Sequence, residues 1–221
     1  MKLNIACAGN VFPAPWLNVD LTDMEEAYFR HIRGLDPDRL DSGWSEEQKN
    51  HVRWLNAGTL RFEQRDLRKG FADFADGSVD AIYLGQVVEH LNPLHELPKL
   101  LAECYRLLRK GGAVRIVTPD LAYILSEFPK MDKFAADQPA FFKDATPLDQ
   151  FAYLIFGASG EGCTRENYEG HFHLHYLSGM FKRLGEAGFS EIAGADYFGH
   201  TLFHDCIDKG MSHSFAVEAV K

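Results

Sequence analysis

Long uninterrupted apolar runs are missing from this chain. No window reaches the roughly 18 consecutive apolar residues that a membrane span requires, and the first residues carry no basic segment followed by an apolar stretch. No membrane partner and a cytoplasmic location are the expectation. Cysteine is scarce: Cys7, Cys104, Cys163 and Cys206 stand far apart without a CxxC pair, which argues against a zinc knuckle or a dense disulfide framework and points to buried free thiols. Positive charge is short as well, with 23 Lys and Arg against 32 Asp and Glu and a formal charge of -9. Such a surface repels a phosphate backbone unless its basic residues cluster, and "RKGGAVR" is the nearest thing to a cluster, so nucleic acid is not expected as substrate.

What is present suffices for a sizeable core, since 46% of residues are hydrophobic and 13% aromatic. One domain over residues 1–221 is expected. Apolar, β-branched runs alternate with helical stretches, as in a largely parallel sheet covered on both faces. "KLNIACA", "WLNVDL", "LRFEQRD", "VDAIYLG", "AVRIVTP", "EIAGADYF" and "HSFAVEAV" predict seven strands. Leu97, Leu100, Leu101, Cys104, Leu107 and Leu108 form one helical stripe, which Gly111 and Gly112 are expected to end through a left-handed cap. A second amphipathic helix, "LSGMFKRLGEAGF", is expected to end at Gly188. Residues 23–58, with helices near "MEEAYFRHI" and "SEEQKNHVRWL", and residues 128–175 break the alternation and read as insertions over the ligand edge of the sheet.

In a parallel α/β sheet, ligands lie across the carboxyl ends of the strands. After the first strand stand Ala6, Cys7, Ala8, Gly9 and Asn10; the second ends in Asp20, the third in Asp66, and the fourth runs into Gly85, Gln86 and Val87. Asp20 is placed to take two ribose hydroxyls or, as a strand-end Asp, simply to form a turn. Asp66 is placed to accept from an adenine amino group, or to form a surface salt bridge in "RDL". Seven residues separate Ala8 from Trp16, too few for a crossover helix, although they reach about 23 Å when extended at about 3.3 Å per residue. Without a helix start the dipole that holds a pyrophosphate is missing, which disfavours a nicotinamide or flavin dinucleotide.

The ordered segments "LNIACAGNVFPAPWLNVDL", "DGSVDAIYLGQVVEHL" and "AECYRLLRKGGAVRIVTPDL" resemble the class I S-adenosylmethionine-dependent methyltransferases, over about the first 125 residues with the insertion excepted. Within that superfamily the chain is most similar to a small group whose first motif reads like LNLGCG, a short loop, then W-x-NVD. The resemblance implies a Rossmann-like class I methyltransferase fold, a seven-stranded mostly parallel sheet with helices on both faces, and S-adenosyl-L-methionine as cofactor. It implies that Asp20 binds ribose, that Asp66 and Leu67 bind adenine, and that Gly85, Gln86 and Val87 pass beside the methionine part and the sulfonium. It also implies a small-molecule or glycan-type acceptor. The departure from the group lies at Ala6 and Ala8, where it has glycines. Where a glycine is needed for positive φ, alanine costs about 1 kcal/mol or more and the loop is expected to differ. A fold kept as a binding or scaffold protein is therefore the competing reading.

Methyl transfer needs alignment and a place for the acceptor's proton, and histidine titrates in the useful range. In "EGHFHLHYLSG" His171, His173 and His175 alternate, so an extended backbone points all three to one side. His173 and His175 are the candidate bases lining the substrate pocket; a metal site, completed by His200 and His204 folding back, and ordinary capping or packing are the alternatives. Members of the resembled superfamily tend to carry a histidine just before the helix that precedes the sixth strand, a place held here by His173 or His175. Asp120 in "TPD" either faces the acceptor or starts a helix. Glu89 and His90 in "VVEHL" are expected in the first turn after the fourth strand, partly structural, with His90 a candidate ligand contact. Tyr123, Phe151, Tyr153, Tyr168 and Phe172 either line an aromatic pocket or pack the second insertion down.

Overall fold

A computed structural model describes residues 1–7, 10–127, 173–194, 201–206, 208 and 213–221. Seven strands appear: β1 (Lys2–Ile5), β2 (Trp16–Asp20), β3 (Phe62–Gln64), β4 (Val79–Gly85), β5 (Leu108–Pro119), β6 (Ser190–Gly194) and β7 (Ser214–Val220). They form one sheet in the order β3-β2-β1-β4-β5-β7-β6. Six strands run in one direction, and β7 alone of the seven is reversed, antiparallel to both β5 and β6. The chain winds outward from β1 through β2 to β3, then returns to start β4 on the other side of β1. The ends of β1 and β4 therefore border the crevice where the winding reverses, the place at which such sheets receive ligands.

Period-2 alternation assigns each face. Leu3, Ile5, Val19, Ile82, Leu84, Val114 and Ile116 point to one side and are covered by α2 (Glu96–Leu107) and by α4 (Leu177–Glu186). The predicted stripe Leu97, Leu100, Leu101, Cys104 and Leu107 is buried in that contact. Gly188, just past the end of α4, takes φ +102 as a C-terminal glycine does. Gly111 and Gly112 correct the sequence expectation. The helix ends at Leu107, and both glycines lie inside β5. There the register slips, from Val79 against Leu108 to Ala81 against Ala113. Gly111 supplies φ +72 to this irregularity, and a Cβ on Gly112 would come within 2.9 Å of the Arg109 and Asp80 carbonyl oxygens.

On the opposite face the described residues between β1 and β2 form no helix. Residues 10–15 cross it without one, and Phe12 stacks edge-on against Trp16 and Tyr83 at 5.2 and 5.1 Å. The segment 201–206 completes the cover through Phe203 and Cys206. It is pinned by Lys2 Nζ to the Leu202 carbonyl at 2.6 Å and by Trp16 Nε1 to Asp205 at 2.8 Å. Beside it Arg115 is 0% exposed and donates to Asp208 and, at 2.5 Å, to Glu218, while Tyr83 donates its hydroxyl to Asp208 at 3.1 Å. Between β2 and β3 the capping box of Ser45 and Gln48 starts α1 (Glu46–Asn56). Val52 and Leu55 of α1 pack with Met24, Phe29 and Ile32 onto Cys7 and Val11. Among the described residues no helix is long and apolar enough to cross a membrane.

Arg115→Met is expected to cost about 3–5 kcal/mol, because it leaves Asp208 and Glu218 buried without their cation. Urea unfolding of the variant against the parent checks this.

Candidate functional site

Two buried amides shape the loop after β1. Asn4 Nδ2 donates to Asn18 Oδ1 at 2.9 Å and to the Asn10 carbonyl at 2.6 Å. Asn18 in turn exchanges bonds with both the N–H and the carbonyl of Phe12 at 2.9 Å. Each amide meets backbone groups that a crossover helix would have satisfied internally. Sequence reasoning passed over both residues, although a polar side chain repeated in "LNIA" and "LNVD" is the signal.

At the strand ends Ala6 has φ +56, and its N–H donates to the Val19 carbonyl at 2.7 Å. The left-handed backbone that would suit glycine is thus adopted by alanine. Ala8 and Gly9 lie outside the described residues, and Cys7 is buried. Because Ile5 pairs with Leu84, Ala6 stands beside Gly85. Gln86 also has φ +56; its N–H donates to the Val117 carbonyl at 2.8 Å and its amide to Ser214 Oγ at 3.0 Å. Two left-handed non-glycine residues therefore meet at the crevice, the kind of strain that collects at functional sites. Val87 is buried behind them. A Cβ on Gly85 would meet the Tyr83 ring at 2.5 Å, so this glycine makes room for that ring.

Asp20, half-buried at the end of β2, accepts from the Thr22 N–H at 3.0 Å, an Asx turn. Asp66 caps the turn Leu67–Lys69 and pairs with Arg68 at 2.8 Å, the salt bridge considered above. That guanidinium holds its carboxyl below the usual range. Leu67 borders a groove of about 420 Å³ whose charged lining residues include Arg68, Glu96 and Glu103. These three are already engaged, with Asp66, the Asn92 N–H and Arg106. The groove holds none of the other strand-end residues.

A second group assembles at the ends of β4 and β5. His175 forms an isolated bridge with Asp120. Its carbonyl accepts from the Leu121 N–H at 2.9 Å, and its Nε2 lies 3.3 Å from the Val88 carbonyl. His173 donates its backbone N–H to the Glu89 carbonyl at 3.3 Å, and the two imidazoles sit 4.9 Å apart. His175 is 2% exposed, and burial pushes it down to about 4. His173, half-buried, is lowered by burial and by the Arg183 guanidinium. Asp120 accepts from the Ala122 N–H at 2.9 Å and so starts α3 (Leu121–Glu127). His90 lies in the turn Val88–His90 and donates its N–H to the Val87 carbonyl at 3.1 Å.

Glu89 is the residue the sequence reading undervalued. It is 1% exposed, accepts from Thr118 Oγ1 at 3.0 Å, and is pushed up to about 7 by burial. Among the described residues no group of three His, Cys, Asp or Glu side chains is placed to hold a metal ion. His204 lies on the Trp16 face, whereas His171, His200, Phe151, Tyr153, Tyr168 and Phe172 lie outside the described residues. Tyr123 is exposed on α3.

A family model described as a methyltransferase domain matches residues 6–116. Among solved structures, a "possible exported protein" of Bordetella parapertussis aligns with TM-score 0.53 and 13% identity, covering 100% of this chain and 61% of its own. The CurJ carbon methyltransferase aligns with TM-score 0.51 and 14% identity over 99% of this chain and 47% of its own. A S-adenosylmethionine-dependent methyltransferase of Archaeoglobus fulgidus aligns with TM-score 0.49 and 13% identity over 100% of this chain and 85% of its own. The first two likenesses show the fold, and this chain spans less than two thirds of either of them. No curated protein matches its sequence.

Two outcomes follow from the geometry. Ala6→Gly relieves roughly 1–2 kcal/mol of left-handed strain. It gives up part of a buried methyl worth about 0.8 kcal/mol and adds about 0.4–1 kcal/mol of unfolded-state freedom. The sum is expected within about 0.5 kcal/mol of zero, whereas Ala81→Gly in β4 should cost about 1.5 kcal/mol; chemical denaturation of the two variants checks the contrast. His175 is lowered in the folded state, so the unfolded chain binds more protons between pH 6.5 and about 4. The folded state accordingly loses about 3 kcal/mol as pH falls through that window. His175→Asn should flatten that part of the stability profile, read from melting temperatures at pH 7 and pH 5.

Proposed function

Because the methyltransferase domain model matches half of its length, the chain belongs to that family, and we propose that it moves the methyl group of S-adenosylmethionine to a small-molecule or glycan-type acceptor. The observation that carries the choice of donor is the turn after β1. At the reversal of the winding the described residues after β1 enter no helix. A pyrophosphate has no helix dipole to rest on there, and a donor without phosphate needs none. The left-handed pair Ala6 and Gln86 at the same edge and the buried Glu89 carboxyl in the turn after β4 suit a ligand that is polar, cationic and phosphate-free.

Residue by residue, Asp20 takes the ribose hydroxyls from the end of β2, one strand away from the crevice. Ala6 and Cys7 stand in the loop beside it, and Gly85, Gln86, Val87 and His90 flank the methionine part. Leu67 covers the adenine, and Asp66 reaches an amino group only by loosening its pair with Arg68. When bound, S-adenosylmethionine supplies a methyl carbon already activated for in-line displacement. The chain's part is to align the acceptor and accept its proton. His173 suits the second role, because its half-buried, lowered imidazole is neutral at pH 7 and able to receive a proton. Neutral His175 and the capped Asp120 hold the segment in place. The acidic surface is compatible with an uncharged or cationic acceptor and unfavourable for a polyanion.

Isothermal titration with S-adenosylmethionine is expected to give one site. Asp20→Ala should weaken it by about 1–3 kcal/mol through loss of a buried ligand bond. Absence of any binding at millimolar donor would contradict the proposal and favour the scaffold reading.

A further inference from the structure

We propose that Glu89 is the counter-charge for the donor's sulfonium, so that the site binds S-adenosylmethionine in preference to the uncharged sulfur of S-adenosylhomocysteine. This rests on the reading above, in which the donor lies against Gly85–Val87. Glu89 stands two residues beyond that stretch, in the turn Val88–His90. Its Oε2 is satisfied by Thr118, whereas its Oε1 is buried and has no hydrogen-bond partner among the described residues. A carboxylate out of water with one side unmet is costly, and it is relieved either by a proton or by a cation.

Among the described residues, the surrounding elements offer no cation of their own. β5 contributes the Thr118 hydroxyl. The segment 173–175 contributes a backbone N–H and two imidazoles that are neutral at pH 7, since burial lowers both. From α4, Arg183 donates to the Pro93 carbonyl at 2.8 Å, and Asp120 at the start of α3 is an acid. His90 is the chain neighbour, with its N–H on Val87. Burial brings Glu89 up to about 7, against the lowering effect of its own backbone N–H and of the Thr118 hydroxyl. At neutral pH without donor the carboxyl is thus part protonated. A sulfonium arriving nearby favours the carboxylate and expels that proton, so donor affinity rises as pH climbs through about 7 and levels off above it. After transfer the sulfur is neutral and the attraction is gone, which assists product release.

The experiment is isothermal titration at pH 6, 7 and 8, each in two buffers of different ionisation enthalpy. Its probes are S-adenosylmethionine, sinefungin (an amine replaces the sulfonium) and S-adenosylhomocysteine. The two cationic probes should release about half a proton at pH 7 and tighten about tenfold from pH 6 to 8, while S-adenosylhomocysteine releases none. Glu89→Gln keeps an acceptor for Thr118; it should abolish proton release and weaken S-adenosylmethionine about tenfold at pH 8 without changing S-adenosylhomocysteine. Thr118→Val removes the donor to Oε2 and should move the pH midpoint upward, which serves if the first variant does not fold. Equal proton release by S-adenosylmethionine and S-adenosylhomocysteine would overturn the proposal, as would pH dependence surviving in Glu89→Gln or a midpoint unmoved in Thr118→Val. If none of the three probes binds, the donor reading of the preceding subsection falls with it.

Discussion

The connection from β1 to β2 is too short to hold a helix, and much of this molecule answers that constraint. Parallel neighbours usually need a crossover of a dozen or more residues. Here residues 10–15 return across the sheet with their backbone unsatisfied by any helix. Asn4 and Asn18 are buried to meet that backbone. The apolar face left bare is closed by Phe12 from the loop and by segment 201–206 from far along the chain. The Arg115 ion cluster and the Trp16–Asp205 bond then tie that distant segment down. Sequence, backbone accounting and long-range packing are linked through one short loop.

The same constraint sets the chemistry at the ligand edge. With no helix dipole after β1, charge has to come from side chains, and the buried charge available near the crevice is acidic. Left-handed backbone at Ala6 and Gln86 brings the ends of β1 and β4 into tight turns. Glu89, His173, His175 and Asp120 gather on the neighbouring β4–β5 side through backbone contacts. A cationic, phosphate-free donor on one side and a proton-accepting imidazole on the other are what this distribution favours.

The elements were legible because both of their periods survive in the sequence. The alternation of Ala81, Ile82, Tyr83 and Leu84 reports a strand covered on both faces, and the Leu97–Leu107 stripe reports one helix face. Gly111 and Gly112 misled because glycine after an amphipathic helix suits a cap and a bulge equally, and only pairing with β4 decides between them. Arg115 and Glu218 are charged residues on an otherwise apolar face of β5 and β7; their burial is matched by their mutual pair and by Asp208, more than ninety residues from Arg115. Glu89 was hidden for a similar reason. Local pattern places it in a turn, but its exposure is set by Thr118 and by residues 173–175. Polar groups whose partners are distant leave no local signal.

The claim on which the account rests is that the crevice between β1 and β4 receives an adenosyl sulfonium donor. Backbone amide chemical shifts followed by NMR during titration with S-adenosylmethionine test it most directly. The account predicts the largest changes at Ala6, Cys7, Asp20, Gln86, Val87 and Glu89. Changes confined to the groove around Leu67–Ala72 and Lys99, or to Tyr28, Trp44 and His51 in the β2–β3 segment, would contradict it.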